Sequence, residues 1–455
     1  MSTLCALQVG YLCTSLRPVI DAGFQGDVAA MQHIITQHLA AAEQQPQAEQ
    51  QQAEGGQRQR QQRPTRGIVL AVGGGTYAAN AFVNLWVLRR HLNCTLPVAI
   101  MYWGASRLDA INNSTQAFLR EHISDLQLID ASRLPYPGHH RRLFPPGNDD
   151  MFNGWKVKMF ALYAAPFDEV LILDGDSTPL QDPAPLFEHP AFRRHGVMAW
   201  PDNLCERVVL YRQVGVEDPW RGARYGPWQG ETGQLLLSRR MHPDVLEWLL
   251  FLNTHDEFTY FYSYGDKDTL LAAFQLAGKA GQFYQASMRA CLSSPTVQGK
   301  QAMRVLGFLQ HAPDLSLAFL HRAGPFGRKY DPAEDEAKPL SHVMVQPSCQ
   351  WNSKRAPFGP TVAVPRQSVH PARRCRFDLG NVSAALAACG VPETPGKGLQ
   401  KGLLGDACAH PPVFEVGEAT ALAELQRQSD AAFAFLRAAK KRDASLFQDE
   451  EGGQL

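Results

Sequence analysis

The chain has 455 residues, enough for one large or two ordinary domains, and lysine plus arginine balances aspartate plus glutamate at 44 each. That balance offers no charge argument for nucleic acid or an anionic membrane, and no run of roughly 18 apolar residues marks a transmembrane helix. Nine cysteines without a CxxC pair argue against a zinc site, and their odd number leaves at least one unpaired within the monomer.

The first twenty residues carry no basic n-region and only a broken apolar run, so they read as a poor signal peptide. Residues 24–43 place Val28, Met31, Ile34, Ile35 and Leu39 at helical spacing, which predicts an amphipathic helix within an N-terminal segment 1–43. Residues 44–66 are glutamine-rich and nearly free of large apolar side chains; they predict a flexible linker or insert. From Gly67 short apolar runs alternate with helices. Strands are predicted at 68–72, 97–103, 126–130, 169–174, 196–200, 234–238 and 317–320, and helices at 78–92, 155–165, 245–253 and 269–277. Such alternation predicts an α/β domain over 67–330, with a parallel sheet and right-handed crossovers. Residues 331–455 turn proline-rich and basic, hold Cys349, Cys375, Cys389 and Cys408, and read as an irregular extension ending in a helix near 418–442. Asn93, Asn112, Asn113 and Asn381 open sequons for N-glycosylation, a pattern common by chance and only weak support for a secretory lumen.

The run LILDGDSTPL at 171–180 carries the most chemistry. An apolar strand empties into Asp174 and Asp176, and side chains two apart in an extended segment point the same way. Two carboxylates so placed can grip one hard divalent ion while positions stay open for a diphosphate, and Gly175 lets a ligand approach the backbone. Asp174-Gly175-Asp176-Ser177-Thr178 also fits the DxDxT opening of haloacid-dehalogenase-like phosphatases, with Asp174 as nucleophile. Against that, three strand–helix units precede the motif, and no lysine occurs between Lys158 and Lys267. The turn Gly73-Gly74-Gly75-Thr76-Tyr77-Ala78 formally fits a dinucleotide fingerprint, but the second strand ends at Trp103-Gly104 without the required acid. A turn beside a nucleotide, or merely a tight turn, covers the facts.

Taken together, GIVLAVGGG, NLWVLRRHLNCTLPVAIMYWG, the block from Lys158 to Pro183, GVMAWPD, ETGQLLLSRR and YGDKDTLLAAFQLAG appear in one order across 67–285. In these stretches the chain resembles the fungal-type Golgi α-mannosyltransferases. The resemblance implies a GT-A-like fold, a Rossmann-type mixed sheet flanked by helices, with manganese or magnesium held by DxD. It implies GDP-mannose as donor, a glycan or glycoprotein acceptor, retention at the anomeric carbon, a role in protein glycosylation and residence in the Golgi lumen. The family's usual N-terminal membrane anchor is not evident in this sequence, and related DxD enzymes use UDP-hexoses.

On this reading Asp174 and Asp176 are metal ligands, Asp174 serving the donor as well, with His321 as a third ligand and His311 its rival. Lys158 is a candidate diphosphate or ribose contact, with Lys156 weaker, unless both are solvated lysines on a helix; Gly73 is expected beside the nucleotide. Glu231, Asp266 and Asp268 would face the sugar as candidate catalytic carboxylates. The plainer reading makes Asp266 a helix N-cap with Asp268 in the first turn. The aromatic clusters Trp220, Tyr225, Trp228 and Phe258, Tyr260, Phe261, Tyr262, Tyr264 receive no role, since aromatics are more often core.

Overall fold

The computed structural model describes residues 65–105, 109–136, 153–201, 210–217, 230–263, 265–286, 289–294, 302–314, 316–321, 342–344, 361–363, 376–377, 413–416 and 421–448. The predicted N-terminal helix, the glutamine-rich linker, the four tail cysteines, the Asn381 sequon, and Trp220, Tyr225, Trp228 and Tyr264 lie outside them.

Six strands build the first sheet: β1 (Arg66–Ala71), β2 (Val98–Tyr102), β3 (Leu126–Asp130), β4 (Glu169–Asp174), β6 (Val197–Pro201) and β7 (Gly230–Ser238), in the order β3-β2-β1-β4-β7-β6. Every residue of β4 but its last is buried, as an interior strand covered on both faces requires. Its alternation divides two cores. Leu171 and Leu173 join Ile68, Leu70, Val98 and Ile100 on one face, while Val170 and Ile172 join Val69, Ala99 and Met101 on the other. Helix α1 (Gly74–Trp86) covers the first face, and α3 (Asn153–Ala164), α4 (Pro243–Thr254) and α6 (Thr269–Leu276) cover the second. Between them in sequence lie α2 (Asn113–His122) and α5 (Asp256–Tyr262). The predicted helix at 78–92 starts four residues earlier and finishes as a π-helical turn, Val87–His91.

The sheet is mixed rather than wholly parallel. Strands β1 to β4 run parallel, but β7 is antiparallel to both β4 and β6. Hydrophobic periodicity is blind to strand direction, which only the connections reveal. A second sheet contains only one of the predicted strands, 317–320. It takes in β5 (Ser177–Pro179), β8 (Arg289–Ser294), β9 (Ala302–His311) and β10 (Leu317–His321), then β11 (His342–Met344), β12 (Thr361–Ala363), β13 (Arg376–Phe377) and β14 (Val413–Val416). Its value to the site is local: β5 pairs with β10 so that Ser177 lies opposite His321 and Thr178 opposite Leu320.

Four short strands and the helix α7 (Ala421–Arg442) give the tail more order than its composition suggests. Helix α7 packs on α1, with the Phe435 ring 5.1 Å from Trp86 and 6.1 Å from Phe82. Cys94 is buried and unpaired. No helix among the described residues is long and apolar enough to cross a membrane. Asn112 and Asn113 open overlapping sequons, yet Asn112 is committed to the fold: it caps α2 and donates to two carbonyls near the C-terminus.

Candidate active site

Strand β4 delivers Asp174 to its carboxyl end, beside Ala71 of β1. The chain then turns at Gly175-Asp176 and enters β5, so the two aspartates converge through a turn rather than through plain strand alternation. Pairing of β5 with β10 adds His321. Ligand atoms of Asp174, Asp176 and His321 all lie within 4.8 Å of one another, the single such group of three among the described residues. The imidazole Nε2 is 3.3 Å from Asp176 and 4.0 Å from Asp174. The rival His311 is buried on β9 outside this group, its imidazole pushed down to about 4 by burial.

Helix α1 holds the turn from behind. Asn84 Nδ2 donates to the carbonyls of Gly175 (2.7 Å) and Ser177 (3.1 Å), while its Oδ1 accepts from the Thr178 hydroxyl. Sequence reasoning missed Asn84. Its one signal was an amide on an otherwise apolar, buried helix face, where a polar group must find partners. Gly175 fits because a Cβ there would meet the Tyr77 carbonyl oxygen at 3.2 Å.

Lys158 and Lys156 are not solvated. Both are almost wholly buried on α3. Lys156 pairs with Asp256 at 2.5 Å, in a contact separate from the aspartate–histidine group. Lys158 Nζ reaches Asp174 (3.1 Å), Asp266 (3.0 Å) and the Thr232 hydroxyl (3.2 Å). Thr232 in turn donates to Asp266 at 3.1 Å. Burial opposes the charge on Lys158, but Asp174 and Asp266 outweigh it and raise its pKa.

Glu231 stands behind the histidine. Its carboxylate lies 3.3 Å from His321 Nδ1 and accepts from the Gly233 amide at 2.8 Å. A carboxylate on the second nitrogen fixes the imidazole's orientation, as in metal sites whose histidine is supported from behind. Burial works against the Glu231 charge, yet His321 and the Gly233 amide hold its carboxyl down to about 2. Burial likewise opposes charge on His321, and Glu231 and Asp176 together raise its pKa well above the ordinary value. Asp174 goes the other way: burial, only partly offset by Lys158 and reinforced by Asp176, lifts it to about 6.

Asp266 is not the helix N-cap; Asp268 holds that position, without a side-chain cap bond, and accepts instead from the Ser263 hydroxyl at 2.8 Å. The loop that carries both lies under Trp155, whose ring would be 2.7 Å from a Cβ on Gly265, a residue with φ of 77°. Gly73 occupies the N-cap of α1, two residues beyond Ala71, where a Cβ would sit 2.4 Å from Asp109 Oδ1. Phe258 and Tyr262 are core, Tyr260 donates to Asn253, and Phe261 is 40% exposed.

The donor set suits a hard divalent cation. Two carboxylates and one imidazole converge, and Asp174 tends toward its neutral form without a further positive charge. Gly233 is the tightest constraint on it. A Cβ there would fall 2.4 Å from the His321 ring. Gly233→Ala is therefore expected to swing the imidazole off Asp176 and weaken Mn2+ binding about tenfold to a hundredfold, as measured by calorimetry. Unchanged affinity would show that His321 is not a ligand.

A partly buried carboxylate–imidazole group at the end of a Rossmann-type strand, with a lysine beside it, has the donor set of a divalent-cation site. Comparison with known proteins narrows the class. Residues 65–212 match the family described as "Mannosyltransferase putative". Relatives include the α-1,2-mannosyltransferases MNN22 of Candida albicans (24% identical over 291 residues, 55% of this chain and 44% of the relative) and MNN21 of the same organism (26% over 178 residues, 30% and 27%). MNN2 of Saccharomyces cerevisiae is 23% identical over 265 residues, 49% of this chain and 41% of the relative. Residues 65–212 thus resemble that mannosyltransferase family, and the chain's matches span less than half the length of these relatives. Among solved structures, galactosyltransferase LgtC in complex with donor and acceptor sugar analogues aligns with a TM-score of 0.34 at 16% identity, covering 48% of this chain and 73% of that one. Glycosyltransferase GlyE of Streptococcus pneumoniae TIGR4 aligns with a TM-score of 0.30 at 17% identity, covering 49% and 45%.

Proposed function

We propose that the protein transfers mannose from GDP-mannose to a glycan or glycoprotein acceptor, with retention, in the Golgi lumen, and that a divalent cation, manganese or magnesium, holds the donor's diphosphate. The observation that carries this reading is the convergence of Asp174, Asp176 and His321 within 4.8 Å at the carboxyl end of β4, in a chain whose residues 65–212 match a mannosyltransferase family.

When bound, the cation would supply positive charge to a leaving diphosphate as the sugar–phosphate bond breaks. Asp174, Asp176 and His321 would hold it. Glu231 orients His321 through Nδ1, so its role on this account is positioning rather than attack on the sugar. Lys158 reaches both Asp174 and Asp266 and holds the two carboxylates in place. Asp266 and Asp268, set on the loop beneath Trp155, are the carboxylates offered to the sugar side. Gly73, at the N-cap of α1 and packed against Asp109, lies beside the nucleotide on this account.

Proton competition gives this reading a pH signature. Without a cation the Asp174 carboxyl titrates near 6 and His321 carries its proton well above the ordinary imidazole range. A cation must displace both protons. Mn2+ affinity should therefore fall as the pH drops through 6 and continue to rise above 7. Titration calorimetry at pH 5.5 and pH 8 is expected to differ by about tenfold or more, given that each ligand proton contributes up to a decade per pH unit. A flat profile contradicts the ligand set. The donor is tested by transfer assays with GDP-mannose, UDP-glucose and UDP-galactose on a mannan acceptor. Turnover of GDP-mannose alone is the expected result, and preference for a UDP-hexose overturns the donor.

A further inference from the structure

We propose that the C-terminal segment Asp443–Gln448 is a brace that positions the Asp174–Asp176 turn, acting through helix α1. The inference rests on the proposed role of that turn but concerns a part of the chain far from it in sequence. After α7 ends, Asp443 folds the chain back by accepting from the Ser445 amide and hydroxyl. Two side chains, Asn112 at the cap of α2 and Thr115 within it, then hold the returning segment. Asn112 Nδ2 donates to the carbonyls of Ser445 (2.9 Å) and Gln448 (2.8 Å), and the Phe447 amide donates to Thr115 Oγ1 at 2.7 Å. Phe447 is buried, its ring edge-on to Phe118 at 5.5 Å, and its φ is 57°. A non-glycine residue in the left-handed region signals a conformation imposed by its surroundings.

That conformation aims the Phe447 carbonyl at the first turn of α1. A Cβ on Gly75 would lie 2.1 Å from its oxygen, so brace and helix meet backbone to backbone. The same helix carries the two groups that define the metal turn: the Tyr77 carbonyl against Gly175, and Asn84 bonded to the Gly175 and Ser177 carbonyls. Displacement of the α1 N-terminus is thus passed to Gly175 within three turns of rigid helix.

The test uses the full chain. Asn112→Asp keeps the acceptor that caps Thr115 N but removes both donors to the brace. Gly75→Ala drives the brace away from the other side. Val245→Ala, in the opposite core, supplies a matched loss of stability without touching α1. Both brace variants are expected to weaken Mn2+ binding about fivefold, below the range for direct supporting residues, and to speed amide exchange at 174–177. Val245→Ala should do neither. Mn2+ affinity within twofold of wild type in both brace variants, with exchange at 174–177 unchanged, overturns the brace. Should wild-type protein bind Mn2+ but no nucleotide, the donor reading fails, whereas the brace is still decided by the Mn2+ titration and the exchange data. Should it bind no Mn2+, exchange at 174–177 decides.

Discussion

Replacing Asp174 and Asp176 together by asparagine is expected to lower transfer by about a thousandfold or more and to abolish metal-dependent donor binding, while the fold survives. Asparagine preserves shape, and at position 174 its carbonyl still accepts from Lys158, so the core around β4 has no cavity to absorb. What disappears is the negative charge that a divalent cation needs, and such a cation contributes several kcal/mol of charge stabilisation to a departing phosphate. Single variants should rank by the partners they lose, Asp174 first. Asp174 lies against Lys158 and Asp266, so its loss also frees a buried lysine; Asp176 answers chiefly to His321. The check is a transfer assay beside circular dichroism of each variant. Activity within tenfold of wild type in the folded double variant would remove the metal from the account.

Lys158→Met carries the second large effect, and it falls on stability as well as on turnover. The ammonium lies between Asp174 and Asp266 with its side chain 6% exposed. Methionine fills the volume but leaves buried Asp266 facing partly exposed Asp174, and removing one partner of a buried pair typically costs about 3–5 kcal/mol, an upper bound here because solvent screens Asp174. Part of that cost is relieved if Asp174, already lifted to about 6, takes up a proton. The variant should then be least stable above pH 7, where Asp174 is charged, and recover as the pH falls toward 5. Chemical denaturation at pH 5 and pH 8 checks this. Equal stability loss at both values would mean that Lys158 is held by packing alone. Lys158→Arg is not a rescue, because a planar fork does not match three converging oxygens around a point charge.

Much of this site was legible before any coordinates. Asp174 and Asp176 stood out because a fully apolar strand rarely ends in two carboxylates without purpose. His321 was named from its place at a strand end, and the β5–β10 register explains why that place matters: Ser177, adjacent to Asp176, lies opposite it. Lys158 was picked out, yet its environment was not, because helix α3 is buried around most of its circumference and a lysine's burial depends on what the sheet brings to it. Glu231 was read as facing the sugar; its neighbours turn it toward His321 instead. Asn84, Thr232 and Gly233 shape the site through partners 34 to 94 positions away, a relation that local periodicity cannot carry. The antiparallel β7, the second sheet and the docking of Phe447 on Gly75 were invisible for the same reason. Each is fixed by a long-range pairing between segments that look unremarkable alone.

The central claim is that the Asp174–Asp176–His321 group holds a cation against a guanosine diphosphate sugar. Calorimetric titration of GDP-mannose, GDP, UDP-glucose and UDP-galactose, each with and without Mn2+, into wild type and into the Asp174→Asn/Asp176→Asn protein tests it most directly. The account predicts Mn2+-dependent binding of the guanine compounds that vanishes in the double variant. Failure of folded wild-type protein to bind any of the four in the presence of Mn2+ would contradict it.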